Sequence, residues 1–387
     1  MVKEDLGERS IKRFKSGEVH TLLGNRLHSF SGRASLVEPL NGLKIWHKNG
    51  QKHRDGDKPA YVKLTTSRNS TLSERVWYSK SVKHRDNDKP ASITVQVTYT
   101  SEHERIVLRE EKWFKDDILH RDNDKPAVRK IQRAFNLKGE LFNEIKIEEY
   151  YKDGIKHRAN NRSALIKRSK DIAADGSMVC SNLDEYYFEG ERHRNGDRPA
   201  IKENIYEVDS NGNKIPGTSM SKYCRKGIIH RDGDKPAVII IKKNFNGGIY
   251  FKEEVFLKNG TFHRDNDKKA YYLFDQNKII NAYYHKGSLH READEPAVKY
   301  IDLQNQIIYY DFYKNDVLVT HDSSLEGSYF RKLLMSEFNN LTLEECESYP
   351  LSQVRSIINA SGIFTYVNGV RDNTDALLIM RRSTVLF

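Results

Sequence analysis

One motif occurs eight times in this chain, and its repetition constrains the fold more than any other feature of the sequence. The first copy, from Trp46 to Val62, reads WHKNGQKHRDGDKPAYV. We number the copies repeats 1 to 8 by their histidines, which are separated by 31, 36, 37, 36, 37, 33 and 27 residues: His53, His84, His120, His157, His193, His230, His263 and His290. Regular spacing in this range is typical of arrays whose units pack against their neighbours.

Three further positions of the motif hold one kind of residue in every repeat. Seven positions before the histidine lies an aromatic residue: Trp46, Trp77, Trp113, Tyr150, Tyr186, Tyr223, Phe256 or Tyr283. Directly after the histidine lies an arginine: Arg54, Arg85, Arg121, Arg158, Arg194, Arg231, Arg264 or Arg291. Seven positions after the histidine lies an alanine: Ala60, Ala91, Ala127, Ala164, Ala200, Ala237, Ala270 or Ala297. We interpret these residues as a structural signature of the repeat.

The first half of the motif predicts a β-hairpin. Three positions before the histidine is usually glycine, as at Gly50, and an Asn-Gly pair favours the positive φ angles of a two-residue type I′ turn. Counting outward from this turn places Trp46 opposite His53, so we expect the two rings to pair across the strands. Because strand side chains alternate, Arg54 is expected on the opposite face.

The second half of the motif, D-[G/N]-D-K-P-A, predicts a turn into a new strand. In repeat 1 it contains Asp55, Asp57 and Pro59, and six of the nine prolines of the chain occupy this position. Acidic and small residues favour turns, while proline fixes φ and removes a backbone donor. We interpret the aspartates as turn residues that pair with a neighbouring Arg or Lys, because two carboxylates supply too few oxygens for a calcium site.

Together these segments predict a mainly β protein built as an elongated antiparallel β-meander of about eight repeats. The alternative is a closed ring of the β-propeller type, although a blade usually needs ~40 to 45 residues. Around Gly24, His28 and Ala34 we predict a degenerate capping repeat, preceded by a charged stretch that could form a short helix. The predicted divisions are an N-terminal segment 1–42, the array 43–320 with a terminal half-repeat, and a small helical C-terminal cap 321–387 with a closing hairpin.

Charge, cysteine content and hydropathy limit the classes of function. The formal net charge is +11, and the positive excess is spread along the chain before Ser323 rather than concentrated in one run. Cys180, Cys224 and Cys346 form no CxxC pair, which is typical of a reducing compartment. No segment approaches the roughly 20 apolar residues that a membrane span needs. We therefore expect a cytoplasmic protein.

An aromatic residue followed by K-N-G-x-x-H resembles the MORN repeat family, whose units are short β-hairpins. The extended form with HR-D-x-D-K-P-A looks like the divergent MORN-like repeats of large DNA viruses, phages and some bacteria. The resemblance covers roughly residues 43 to 300, and the repeats here are longer than typical MORN units. It implies scaffolding, partner binding or docking near a membrane rather than a reaction.

Enzymatic interpretations of the motif are less economical. HRD occurs in the kinase catalytic loop, but the HRDLxxxxN context is missing here. A kinase also has one active site, whereas this motif occurs eight times, so a kinase is excluded. The histidines have no second His, Cys or Glu at ligand spacing, so we assign them to packing. We predict no enzyme activity, no cofactor, no metal and no small-molecule substrate.

The function that we expect is a scaffold whose sheet binds another protein, for example as a viral or phage structural or host-interaction component in the host cytoplasm or the virion. Nucleic-acid binding through a diffuse basic face is one alternative, and docking on an acidic membrane surface is another. Tyrosine doublets put one ring on each face of the sheet. The candidate partner surface is therefore the residue after the aromatic: Tyr78, Tyr151, Tyr187 and Tyr284.

Overall fold

The fold is all β in the part of the chain that the structure, a computed structural model, describes. The described residues are 2–6, 9–291, 295–303, 307–319, 365–367 and 370–372. They group into two compact units, Met1–Arg231 with Ala237–Ile249, and Asp232–Pro236 with Tyr250–Phe387. Each unit contains an antiparallel meander, so the predicted fold class is confirmed.

Each repeat contributes two long strands and a short hairpin, which we call the arm. The strands that follow the alanines are Tyr61–Thr66, Ser92–Tyr99, Val128–Phe135, Leu165–Ile172, Ile201–Val208, Val238–Lys243, Tyr271–Asp275 and Val298–Asp302. The strands that lead to the aromatics are Leu43–Ile45, Ser70–Val76, Arg105–Lys112, Leu141–Glu149, Met178–Glu185, Lys214–Lys222, Ile249–Val255 and Lys278–Ala282. The arms are His47–Lys48 with Gln51–Lys52, Tyr78–Ser79 with Val82–Lys83, Phe114–Lys115 with Ile118–Leu119, Tyr151–Lys152 with Ile155–Lys156, Tyr187–Phe188 with Glu191–Arg192, Cys224–Arg225 with Ile228–Ile229, Leu257–Lys258 with Thr261–Phe262, and Tyr284–His285 with Ser288–Leu289.

Some of the long strands are half-buried on both faces of the sheet. Along Ser92–Tyr99, seven successive side chains are half-buried and the eighth is exposed. A sheet covered on one side would instead alternate buried and exposed residues. In neither unit does a described pairing join the first strand to the last, so the closed-ring alternative is not found.

The arms have the predicted turns. Asn49 and Gly50 have φ angles of 52° and 85°, and the equivalent pair in every other repeat is also in the left-handed region. Glycine is not required there, since Lys80 and Ser81 have φ angles of 50° and 69°. The second turn residue also donates its N–H to the preceding arm, as from Gly154 to the carbonyl oxygen of Leu119 at 2.9 Å. Where this hydrogen bond forms, it joins one arm directly to the next.

The N-terminal segment differs from the sequence prediction in two details. Its charged start forms strands rather than a helix, because pairing with the following strand satisfies the backbone: Val2–Leu6, Arg9–Arg13, Val19–Leu23, Arg26–Leu27 and Leu36–Glu38. Ser35, not Ala34, takes the alanine position, since the amide of Thr21 donates to its carbonyl oxygen at 2.7 Å.

The C-terminal predictions are described only in part. A hairpin of Ile307–Lys314 with Val317–Val319 forms the predicted half-repeat. Thr365–Val367 pairs with Val370–Asp372, as expected of the closing hairpin. The predicted helical cap and Cys346 lie outside the described residues.

The alanine that recurs in every repeat is almost completely buried, with at most 1% of its surface exposed. In repeat 3 the carbonyl oxygen of Ala127 accepts the N–H of Trp113 at 2.8 Å, while its own N–H donates to Glu149 at 2.9 Å. The alanine thus joins its own arm to the next long strand. No room remains for a larger side chain.

We expect the substitution Ala127→Leu to lower the free energy of unfolding by about 1–3 kcal/mol, because added methylenes in a filled site force neighbouring groups apart. Leu137→Ala is the matched control, since Leu137 is 77% exposed. Chemical denaturation of both variants checks this, and equal midpoints would contradict it.

His47, in the arm of repeat 1, gives the N-terminal end a pH dependence. It is buried, and Nδ1 lies 2.8 Å from the Ser35 hydroxyl. Burial, with smaller effects of the charges of Lys52 and His20, lowers the pKa of His47 from 6.5 to about 4.

The folded chain therefore holds His47 neutral, and the unfolded chain binds the extra proton. The free energy of unfolding should decrease as the pH is lowered from 6.5 to about 4. Below about 4 His47 is protonated in both states and adds no further pH dependence. In His47→Gln the unfolding free energy should change less over this window, as measured by denaturation at several pH values. An unchanged slope would show that His47 titrates normally.

Candidate functional site

The arginine of each repeat, not the histidine, lies over the aromatic ring. The guanidinium carbon is 3.6 to 4.0 Å from the ring centroid in all eight pairs: Arg54–Trp46, Arg85–Trp77, Arg121–Trp113, Arg158–Tyr150, Arg194–Tyr186, Arg231–Tyr223, Arg264–Phe256 and Arg291–Tyr283. Cation–π contacts at this distance stabilise by about 0.5–2 kcal/mol each.

The predicted ring pair of Trp46 with His53, and the opposite placement of Arg54, are therefore wrong. The side-chain alternation of a strand ends where the arm ends, after two residue pairs. The backbone N–H of Trp46 donates to the carbonyl oxygen of Ala60 at 2.8 Å, which fixes the start of the arm. Nη1 of Arg54 donates to Pro59 at 3.2 Å, which turns the guanidinium back onto the ring.

The second aspartate of one repeat binds the arginine of the next repeat. Nε and Nη2 of Arg121 donate to the two carboxylate oxygens of Asp88 at 2.7 and 3.1 Å. Nζ of Lys125 lies 2.6 Å from the same carboxylate, and the indole N–H of Trp113 donates to the Asp88 carbonyl at 3.0 Å. One residue thus receives four donors from its neighbouring repeat. We call this arrangement the carboxylate clamp.

The arginine–aspartate pair of the clamp is found at six of the described junctions, and we use the name for all six: Asp57–Arg85, Asp88–Arg121, Asp124–Arg158, Asp197–Arg231, Asp234–Arg264 and Asp267–Arg291. Hydrogen bonds from the arginine, then from the lysine, hold the pKa of Asp57, Asp88 and Asp234 well below the usual range. An ion pair of these aspartates with a neighbouring Arg or Lys was expected from the residue types alone. The position of the arginine in the next repeat was not expected.

Two of the repeat histidines, His120 and His263, form hydrogen-bonding bridges to the next arm. Nε2 of His120 lies 2.9 Å from Asp122 of the same turn, and Nδ1 accepts the N–H of Asp153 in the next arm at 3.1 Å. His263 makes the equivalent contacts with Asp265 and Lys286. The assigned structural role therefore involves polar contacts more than ring packing.

The junction between repeats 4 and 5 departs from this pattern. Asn161 stands where the clamp aspartate would be, and its side-chain amide donates to the carbonyl oxygen of Asn195 at 3.3 Å. Nε of Arg194 is buried and has no hydrogen-bond partner. Its stack on Tyr186, at 3.6 Å, and its bond to Pro199, at 3.2 Å, are retained.

The candidate partner tyrosines are half-buried along the arms. The two rings of a doublet do face opposite ways, since Tyr150 donates to Glu148 and Tyr151 to Glu149, which are adjacent in their strand. A residue of the preceding arm covers three of these tyrosines: Lys52 over Tyr78 at 5.3 Å, Lys156 over Tyr187 at 5.2 Å and Phe262 against Tyr284 at 4.7 Å. In these three tyrosines, one face of the ring is therefore covered by the preceding arm.

A row of exposed apolar side chains lies along the arms of the first unit, Met1–Arg231 with Ala237–Ile249. This row was not expected from the sequence. Its members are Ile118 at 48%, Ile155 at 49%, Phe188 at 47% and Ile228 at 51% exposure, and we call it the apolar row. A Cβ built on Gly154 would lie 3.0 Å from Ile118, so successive turns touch. An isoleucine beside the turn in repeats 3, 4 and 6 was the available signal.

No cluster of three or more potential metal ligands occurs within the described ranges. The same part of the chain has no helix that is long and apolar enough to cross a membrane. Cys180 and Cys224 are free thiols, and burial raises the pKa of Cys224 to about 11.

Comparison with known proteins adds no assignment. No protein-family model matches the chain, and no curated protein is significantly similar to it.

We expect Asp88→Asn to lower the free energy of unfolding by about 1–2 kcal/mol, because Arg121, whose side chain is only 9% exposed, loses its carboxylate. Asp86→Asn is the matched control. Asp86 is 85% exposed and contacts only its own histidine, so a change within about 0.5 kcal/mol is expected.

The difference between Asp88→Asn and the natural protein should also depend on pH. Because the folded-state pKa of Asp88 is depressed, its stabilisation is fully present above the unfolded value of about 3.9 and is lost as the pH falls below it. Denaturation curves at neutral and acidic pH measure this. A stability difference that persists in strong acid would exclude the clamp as its cause.

Proposed function

We propose that the repeat array is a non-enzymatic scaffold that binds another protein along the apolar row. The observation that carries the proposal is the exposure of the row. At the arm position of the three isoleucines, four repeats have a polar residue, and one of these is repeat 5, whose Phe188 lies across the arm: Gln51, Glu191, Thr261 and Ser288. The arm therefore folds without an apolar side chain there. Contiguous exposed apolar groups that the fold does not require are typical of protein-binding surfaces.

The chemistry of the motif favours a protein over a nucleic acid as the partner. Six of the repeated arginines are engaged with aspartates of the preceding repeat, as in Arg85–Asp57 and Arg121–Asp88. Those guanidinium groups are not available to phosphates. Since the net charge is +11, we expect a partner segment that combines apolar with acidic side chains. The resemblance to MORN repeats implies the same class of function.

Selection of binders from a displayed library of random short peptides tests this proposal. We expect the enriched peptides to be apolar and acidic, and to bind Ile118→Lys/Ile155→Lys about tenfold or more weakly than the natural protein. Leu137→Lys is the control, because Leu137 is an exposed apolar residue, at 77%, that lies outside the row.

Peptides that bind both variants equally would contradict the proposal. The rival functions have their own probes: duplex DNA, single-stranded RNA and vesicles rich in anionic lipid. Tight binding to a nucleic acid that weakens steeply with added salt and is unaffected by the isoleucine substitutions would replace the protein-binding proposal.

A further inference from the structure

The six carboxylate clamps define what the arginine of a repeat is arranged to bind. In four of the clamps, those of Arg85, Arg121, Arg158 and Arg231, Nε and Nη2 both face the carboxylate; in Arg85, Nε lies 2.6 Å from Oδ1 and Nη2 3.1 Å from Oδ2 of Asp57. In repeats 2, 3, 4 and 7 a second cation, five residues after the histidine, also contacts Oδ2, as Lys89 does at 2.6 Å. The chain thus contains several examples of one binding geometry, all occupied by its own aspartates.

Repeat 5 keeps both cations of the clamp but faces no carboxylate. Its arginine is Arg194 and its second cation is Arg198, whereas repeat 4 supplies Asn161. The ring contact and the bond to Pro199 hold the Arg194 guanidinium in the same orientation as in the clamps. Nε, which carries the first bond to the carboxylate elsewhere, is the buried atom without a partner.

The turn of repeat 4 offers no substitute ligand. It reads RANNRSA, so the first aspartate is also absent and Ala159 takes its place. Arg158 and Arg162 both pair with Asp124 of repeat 3. The junction therefore lacks acidic groups on the repeat 4 side, whereas every clamp has one.

We propose that Arg194 and Arg198 bind the carboxylate of an aspartate or glutamate side chain of a partner protein. A planar group with two oxygens matches the paired donors of an arginine, and the guanidinium is already fixed, so little side-chain freedom is lost on binding. The source of the carboxylate rests on the proposed function. The site itself rests on the geometry of this junction, and it gives a partner a polar anchor in addition to the apolar row.

Titration of the full chain with acetate, followed through the NMR signal of the Arg194 Nε–Hε group, tests the site. We expect a saturable shift in the natural protein. In Asn161→Asp the chain's own carboxylate should complete a seventh clamp, which weakens acetate binding at least tenfold and raises the denaturation midpoint. Asn161→Ala is the control that should keep the binding.

Equal acetate binding by Asn161→Asp and the natural protein, or no shift in either, would overturn the proposal. Inorganic phosphate is titrated in parallel at matched ionic strength, and a clear preference for phosphate would overturn the assignment to a carboxylate. Ile118→Lys/Ile155→Lys should bind acetate normally. If no acetate binds at Arg194, the proposal that the apolar row binds a protein is not affected. If no peptide binds the apolar row, the acetate result at Arg194 still stands.

Discussion

The contact between an arginine and the carboxylate of the preceding repeat organises this protein. Arg121 shows why: one side of the guanidinium lies on Trp113, one nitrogen donates to the chain at Pro126, and two others hold Asp88. A single side chain therefore fixes its own arm, its own turn and the distance to its neighbour. At the six clamps this contact joins one repeat to the next, and at the junction of repeats 4 and 5, where it is absent, the buried Ala200 and the turn are retained.

Where both faces of the sheet are half-buried, as along Ser92–Tyr99, the strand contributes little to a buried core, in contrast to the strands that carry Leu273, Ile280 and Ile301 in the second unit. The half-burial along Ser92–Tyr99 means that apolar area contributes little per residue, and polar contacts between neighbours must supply much of the cohesion. Such contacts act between adjacent repeats only. Loss of one junction should therefore weaken the chain locally, in contrast to a globular domain, where a cavity affects the whole core.

The sequence was sufficient for whatever depends on neighbours along the chain. The Asn49-Gly50 turn, the strand after Ala60 and the meander all followed from local residue chemistry. Arg54 was misplaced because strand alternation was extended past the end of a two-pair ladder. The bond from Arg121 to Asp88 spans 33 residues, and no local rule indicates it. Ile118 was missed for another reason: a repeat is recognised by what its copies share, whereas this residue differs between copies.

The irregular junction at Asn161 has a consequence for positional information. In a perfectly periodic array every repeat offers a ligand the same surroundings, so a bound partner has several equivalent registers and no means of choosing among them. One junction that lacks its aspartate breaks this translational symmetry. Among the described junctions that join repeats 1 to 8, it marks one place, and a partner that recognises Arg194 would be set in one register relative to the other repeats of its unit.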